Sequence, residues 1–356
     1  MLNQTATDNL RIVGTEVAIT PADLISQHPI SDQAEQTVLN ARQQAHEILH
    51  GQDDRLIVIC GPCSIHDLDA ANEYALGLNA LRELYKDQLH IIMRVYFEKP
   101  RTTIGWKGLI NDPNLNGTFE INKGLETARS LLLELNDMGM PCGTEFLDLI
   151  SPQYFADLIS WGAIGARTTE SQSHRELASG LSCPVGFKNG TNGNLQIAAD
   201  AIGAASKPHH FLSVTKSGKS AIFGTSGNED CHVILRGGTE PNYDATSIQQ
   251  SCELLEKSNL KPMVMIDMSH ANSHKKHQNQ IPVGENIAAQ VAGGEDRIIG
   301  VMIESNLVEG NQSLNADTPL VYGQSITDAC VNFDQTKGMI RTLADAVDAR
   351  RASKTA

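Results

Sequence analysis

A chain of 356 residues with 40% hydrophobic side chains can bury one large core or two medium ones. Its formal charge of −14 argues against unspecific binding to nucleic acid or a membrane surface, so any cationic site must be local. Seven irregularly spaced cysteines do not make a secreted disulfide framework, no apolar run is long enough to cross a bilayer, and the N-terminal MLNQTATDNLRIVGTE lacks an export pattern; a cytoplasmic protein is expected.

Residues 1 to about 50 are polar with scattered apolar positions. They predict a short extended arm and then a helix near Ser31–His50, with Ser31 as N-cap and Gly51 as stop. Beyond Gly51 come short apolar runs: Leu56–Cys60, Leu89–Phe97, Pro141–Leu147, Ala163–Thr168, Pro184–Asn189, His232–Gly238, Met263–His270 and Ile298–Ser305. Runs without polar alternation read as strands buried on both faces, as in parallel sheets. Helical stretches separate most of them, among them Ala70–Tyr85, Gly124–Met138 and Ser247–Asn259. Eight strand–helix units predict an α/β protein, a (β/α)₈ TIM barrel over residues 51–356. The stretch His209–Ser226 predicts an inserted β-hairpin turning at Ser217-Gly218. An open doubly wound sheet would carry G-x-G-x-x-G after its first strand, and that fingerprint is absent.

The tetrapeptide CGPC, Cys60–Cys63, raises a redox or zinc reading. Cys60 closes an apolar run, with Ile59 before it and no Trp, which places it in the core rather than at a helix N-terminus. Gly61-Pro62 makes a turn, and Cys63 is delivered beyond the strand, where a barrel keeps its chemistry. The other runs end in the same way. They lead to Arg94 and Lys99-Pro100-Arg101-Thr102, then Glu145, Arg167, Lys188, Arg236, Asp267 with His270, and Glu304; Asp328 follows in the last loop. Charges inside apolar strands are unfavourable unless paired or facing a site.

Two sets emerge by chemistry. Arg94, Lys99, Arg101, Arg167, Lys188 and Arg236 would repel one another unless their ligand were strongly anionic, which points to a polyanionic substrate or to two phosphorylated ones. Cys63, His270, Glu304 and Asp328 offer a thiolate, an imidazole and two carboxylates, a set suited to one divalent ion of Mn, Fe, Co or Zn. His66 and His274 are rival ligands, and His274 and His277 sit in NSHKKHQNQ, which reads as a solvated face. A bare phosphate-binding module would have no use for the second set.

Longer segments carry a resemblance: GPCSIHD, MRVYFEKPRTT, GWKGLINDP, WGAIGARTTESQ, GFKNGT, ILRGG, DMSHAN, ESNLVEGNQ and YGQSITDAC. From Asp54 onward the chain closely resembles the type I 3-deoxy-D-arabino-heptulosonate 7-phosphate (DAHP) synthases. The resemblance implies a barrel with an N-terminal extension (residues 1–50) serving oligomer formation or regulation, a homo-oligomer that is commonly a tetramer, and feedback inhibition by an aromatic amino acid. It implies the condensation of phosphoenolpyruvate with erythrose 4-phosphate and water, the first step of the shikimate pathway. It places phosphoenolpyruvate on Arg94, Lys99, Arg167, Lys188 and Arg236 near Glu145, and erythrose 4-phosphate on Lys99, Pro100, Arg101 and Thr102. The metal falls to Cys63, His270, Glu304 and Asp328. The chemistry makes Lys99, Glu145 and His270 candidates for the proton transfers, with no role assigned among them. The related 3-deoxy-octulosonate 8-phosphate synthases read K-A-N-R-T-S where this chain reads Lys99-Pro100-Arg101-Thr102, which favours the four-carbon aldehyde.

The same resemblance puts the inhibitor near Pro152, Gln153, Leu177, Leu181, Ser182, Phe211 and Ser213. Phenylalanine-sensitive members carry Ser at the position of Ser213 and tyrosine-sensitive ones tend to carry Gly, so phenylalanine is the favoured effector, although tryptophan-sensitive members also carry Ser. Cys330, two residues beyond Asp328, is expected near Cys63; either the two close an inactivating disulfide when metal is absent or copper is bound, or Cys330 is an inert buried thiol.

Overall fold

The computed structural model describes residues 7–101, 103–314 and 318–355. Two helices come first, α1 (Pro21–Gln27) and α2 (Asp32–Leu49). The strands are β1 (Leu56–Gly61), β2 (Leu89–Arg94), β3 (Cys142–Glu145), β4 (Trp161–Ile164), β5 (Val185–Lys188), β6 (His210–Val214), β7 (Ser220–Gly224), β8 (Cys231–Leu235), β9 (Val264–Asp267), β10 (Ile298–Glu304), β11 (Val308–Asn311) and β12 (Gln324–Ser325). Between and after them run α3 (Leu68–Leu84), α4 (Ile121–Asp137), α5 (Pro152–Phe155), α6 (Gln172–Gly180), α7 (Gln196–Ala205), α8 (Ala245–Lys257), α9 (Gln280–Ala292) and α10 (Phe333–Thr355).

Strands β1 to β5 and β8 to β10 pair in parallel, and β10 returns to β1, which closes the barrel. The alternation hidden in the apolar runs appears once the sheet closes. On β1, Ile57 and Ile59 point into the barrel with Ile92, Trp161, Ile234 and Met265. Leu56, Val58 and Cys60 pack outward among the helices. Both faces are apolar because both are buried. Hairpin β6–β7 turns with Gly218 at φ 76°, the left-handed conformation that favours glycine.

Helix α2 begins where predicted, with Ser31 Oγ accepting from Ala34 N, and Gly51 follows it at φ 69°. Its Ala45, Ile48 and Leu49 plug the barrel from the end where the strands begin. The first segment departs from expectation. The extended arm contains helix α1, entered through Thr20, whose side chain accepts from Asp23 N, with Pro21 in the first turn. Strand β4 also differs, starting at Trp161 and leaving Arg167 in the loop beyond it.

Two histidines are sealed inside this barrel in neutral form. His90 Nε2 donates to Ala41 O at 3.0 Å, and burial pushes its pKa down to about 3. His232 accepts from Trp161 Nε1 at 3.2 Å and donates through Nδ1 to Asp230 O at 3.2 Å; burial pushes it down to about 4. In the unfolded chain both titrate near 6.5. Between these values the unfolded state binds more protons, so stability is complete above pH 6.5 and falls as the pH drops below it. The slope reaches about 1.4 kcal/mol per pH unit for each histidine. Urea midpoints should therefore fall markedly between about pH 7.5 and pH 5, and His90→Gln should flatten the dependence. Equal midpoints at the two pH values would contradict this.

Candidate active site

The floor of the site is built from strand ends. The last residues of β2, β3, β5, β9 and β10 are Arg94, Glu145, Lys188, Asp267 and Glu304, all buried. Arg236 comes one residue after β8. Closing the barrel turns these separate termini into one charged ring at the C-terminal end. Above it opens a cavity of about 970 Å³, within the range of small-ligand sites. Among the described residues its walls hold seven basic side chains, Arg94, Lys99, Arg101, Arg167, Lys188, Arg236 and Lys275, against three acidic ones, Glu145, Glu304 and Asp328.

Three of the four expected metal ligands converge. Cys63 Sγ and carboxylate oxygens of Glu304 and Asp328 lie within 4.8 Å of one another. Cys63 is in a loop, as expected, yet it is fully buried. Its Sγ receives Lys99 Nζ at 3.0 Å and faces Asp328 Oδ2 at 3.5 Å. Burial, reinforced by Glu304, pushes the thiol up to about 11, while Lys99 works the other way. Without a cation this thiol keeps its proton, and a bound ion would displace it. Glu304 Oε1 lies 3.0 Å from Arg94 Nη2 but has no hydrogen bond of good geometry among the described residues.

His270 is outside that group of three but on the same cavity wall. It holds φ 54°, an uncommon backbone state for a non-glycine residue, of the kind that clusters at functional sites. Its Nδ1 is 2.8 Å from Asp267 Oδ2 and 2.7 Å from Ser269 Oγ, which leaves Nε2 for an ion. A carboxylate behind an imidazole is the usual support of a histidine ligand. The donor chemistry and the Asp267 support behind His270 together fit a divalent transition ion. His66 is half-buried and His274 exposed, and neither belongs to the group.

Asp267 is the residue that strand-end reasoning undervalued. Its Oδ2 also receives Lys188 Nζ at 2.8 Å, and Ser269 donates N–H and O–H to Oδ1 at 3.0 and 2.7 Å. Burial alone would raise its pKa, but His270 and Lys188 hold it well below the carboxylate range. Arg94 donates to the carbonyls of Pro62 and Cys63 at 3.0 and 3.1 Å and lies over the Tyr96 ring at 3.5 Å. Arg236 is half-buried; burial lowers its pKa, Asp267 opposes the fall, and Arg167 adds to it. Arg101 and Arg167 stand exposed at the rim, and Pro100 also lines the cavity. Thr102 lies outside the described residues. Crowded cations of this kind call for a polyanionic ligand.

The stretch around His274 is exposed at His274, Lys275 and Lys276, as a solvated face is; within it His277 is half-buried, lines the cavity together with Lys275, and has a buried Nε2 without a hydrogen-bond partner among the described residues. The backbone here is left-handed at His270, His274 and Lys275, with φ 54°, 52° and 58°. Cys330 is buried, and both it and Cys63 are free thiols; burial and then Cys63 raise its pKa.

The residues expected at the inhibitor site line up away from this cavity. Phe211 and Ser213 share the half-buried face of β6, opposite Phe223 and Ala221 of β7. Lys216 in the hairpin turn hydrogen-bonds the Gln153 carbonyl beside Pro152. Thr225, just beyond β7, meets Ser179 of α6 at 2.7 Å, between Leu177 and the Leu181-Ser182 turn.

A sequence profile described as the DAHP synthetase I family matches residues 28–341. The chain is 61% identical over 344 residues to the Phe-sensitive phospho-2-dehydro-3-deoxyheptonate aldolase of Escherichia coli (strain K12), covering 97% of this chain and 98% of that relative. It is 53% identical over 344 residues to the Trp-sensitive enzyme of the same strain, covering 97% and 99%. The solved phospho-2-dehydro-3-deoxyheptonate aldolase of Francisella tularensis SCHU S4 superposes with a TM-score of 0.94 at 55% identity, over 96% of this chain and 99% of that one.

Proposed function

Because the chain belongs to the DAHP synthetase I family, we propose that its strand-end cavity condenses phosphoenolpyruvate with erythrose 4-phosphate and water to give DAHP and phosphate, the first step of the shikimate pathway. The observation that carries this reading is one cavity holding both seven basic side chains and the Cys63–Glu304–Asp328 group. The basic residues answer two phosphorylated substrates, and the mixed donors answer a divalent ion.

In this reading Arg94, Lys99, Arg167, Lys188 and Arg236 hold the phosphate and carboxylate of phosphoenolpyruvate, with Glu145 nearby. Lys99, Pro100 and Arg101 hold the aldehyde phosphate, with Thr102. Bringing two anions face to face is chiefly a positioning contribution, and the cations offset their repulsion. Cys63, His270, Glu304 and Asp328 hold one divalent ion of Mn, Fe, Co or Zn, which supplies Lewis-acid polarisation when bound. Carbon three of phosphoenolpyruvate bonds to the aldehyde carbon as its carbon–carbon double bond opens; the aldehyde oxygen takes the carbonyl electron pair and a proton, and carbon two, left electron-poor, adds water, which gives up a proton. The resulting hemiketal phosphate releases phosphate by breaking its carbon–oxygen bond. Lys99, beside the aldehyde site, and Glu145, whose buried Oε1 has no hydrogen-bond partner among the described residues, line the cavity with His270, and these three move the protons. Steady-state assays should show a strong preference for erythrose 4-phosphate over arabinose 5-phosphate. Equal turnover of the two would overturn the substrate assignment.

The regulatory reading extends the same family likeness. An aromatic amino acid binds between the hairpin, the Pro152-Gln153 turn and the Leu177–Ser182 segment, with Phe211 and Ser213 facing it. The Ser213 hydroxymethyl fills space that a phenolic oxygen would need, so phenylalanine is favoured over tyrosine. Ser213→Gly should strengthen inhibition by tyrosine about 10-fold or more, within the range one steric clash provides. Stronger inhibition of the wild type by tyrosine than by phenylalanine would refute the effector, and an unchanged preference in the variant would refute the steric cause. The outward face of the hairpin presents Leu212 and Ile222, which are 80% and 75% exposed. That apolar pair supports a homo-oligomer, with a tetramer expected by light scattering. No helix among the described residues is long and apolar enough to cross a membrane; a cytoplasmic enzyme acting on small molecules, not on nucleic acid, fits the acidic charge.

A further inference from the structure

A second cluster with metal-ligand chemistry lies at the opposite end of the barrel. His46, in the last turn of α2, and His50, its C-cap, are four residues apart and share one face. Their rings stack at 4.0 Å. His46 Nδ1 and His50 Nε2 both point at one oxygen, Oδ1 of Asp230, at 2.8 and 2.9 Å. Asp230 immediately precedes β8, and its N–H donates to Asn228 Oδ1 at 3.0 Å, so the carboxylate stands on a fixed platform. The three ligand atoms lie within 4.8 Å of one another. The side chains are 29%, 20% and 19% exposed, partly buried but open on one side.

We propose that His46, His50 and Asp230 form a second divalent-metal site, which clips helix α2 to the floor of the barrel. Two imidazoles and one carboxylate, with a remaining position open to water, suit Zn, Co, Ni or Cu and not the oxygen-seeking Mg or Ca. The ion replaces the protons that now bridge the two rings to Asp230. One neighbour competes with it. Lys261 Nζ sits 2.8 Å from His50 Nδ1, an arrangement in which Nε2 keeps its proton. Metal binding needs the opposite tautomer, so this exposed lysine must swing away.

The test is cobalt titration of untagged, chelator-stripped enzyme, read by absorption and by metal analysis. The expected result is two cobalt ions per chain. One gives thiolate charge-transfer bands from Cys63, and the other gives ligand-field bands alone. His50→Gln, His46→Gln and Asp230→Asn should each weaken the second site by more than about 100-fold, since even outer-shell changes cost 10–100-fold. They should retain the thiolate bands and full activity with the first site loaded. Lys261→Met should tighten the second site by about 10-fold, as an outer-shell change in the favourable direction. The difference between wild type and His50→Gln does not depend on the active-site reading. Equal cobalt counts in wild type and all three ligand variants would overturn the proposal.

Discussion

Cys63→Ser should leave the fold intact and cost the enzyme its metal. The side chain is fully buried, but serine nearly matches its shape and can still accept from Lys99. What is lost is the thiolate, for which a neutral hydroxyl is a poor substitute. Activity at a fixed metal concentration should drop by about 100-fold or more, because even changes behind a ligand cost 10–100-fold in affinity. Metal analysis after dialysis against a chelator, paired with activity, reads both effects. Full activity without added metal would remove Cys63 from the ligand set.

The second large effect is expected at Asp267. Asp267→Asn is nearly isosteric, and Asn can still accept from Ser269 through its carbonyl oxygen. It removes the charge that neutralises Lys188 and the acceptor that orients His270, both at 2.8 Å. Leaving one member of a buried ion pair without its partner costs about 3–5 kcal/mol. The urea midpoint of the substrate-free variant should fall accordingly. Metal affinity should also fall by about 10–100-fold, because the imidazole is no longer held. A midpoint and an affinity equal to the wild type would show that Asp267 supports neither group.

The barrel was legible because its strands are buried on both faces, which leaves continuous apolar runs such as Leu56–Cys60. The charged ring was legible for the complementary reason: Arg94, Glu145, Lys188 and Glu304 interrupt those runs at their ends, where nothing apolar requires them. Helix α1 was missed because seven residues carry too little periodicity, although Thr20-Pro21 with Asp23 is a helix-start signal. The place of Lys275 and His277 on the cavity wall was not legible. Left-handed backbone at His274 and Lys275 leaves no periodic trace, and a polar segment over a cavity reads like one over solvent. The role of Asp267 was hidden differently. The residue was visible at its strand end, but the meeting of Lys188 and His270 on one oxygen requires the closed barrel. The second histidine cluster joins α2 to a residue far along the chain, and only His46 and His50 share a local spacing.

The most direct measurement follows phosphoenolpyruvate and inorganic phosphate in the purified enzyme with and without erythrose 4-phosphate. The expected result is one phosphate released per phosphoenolpyruvate consumed, only when both substrates are present. Turnover should cease on stripping with chelator and return when a divalent transition ion is added. Phosphate release without the aldehyde, or turnover unaffected by rigorous removal of metal, would contradict the account.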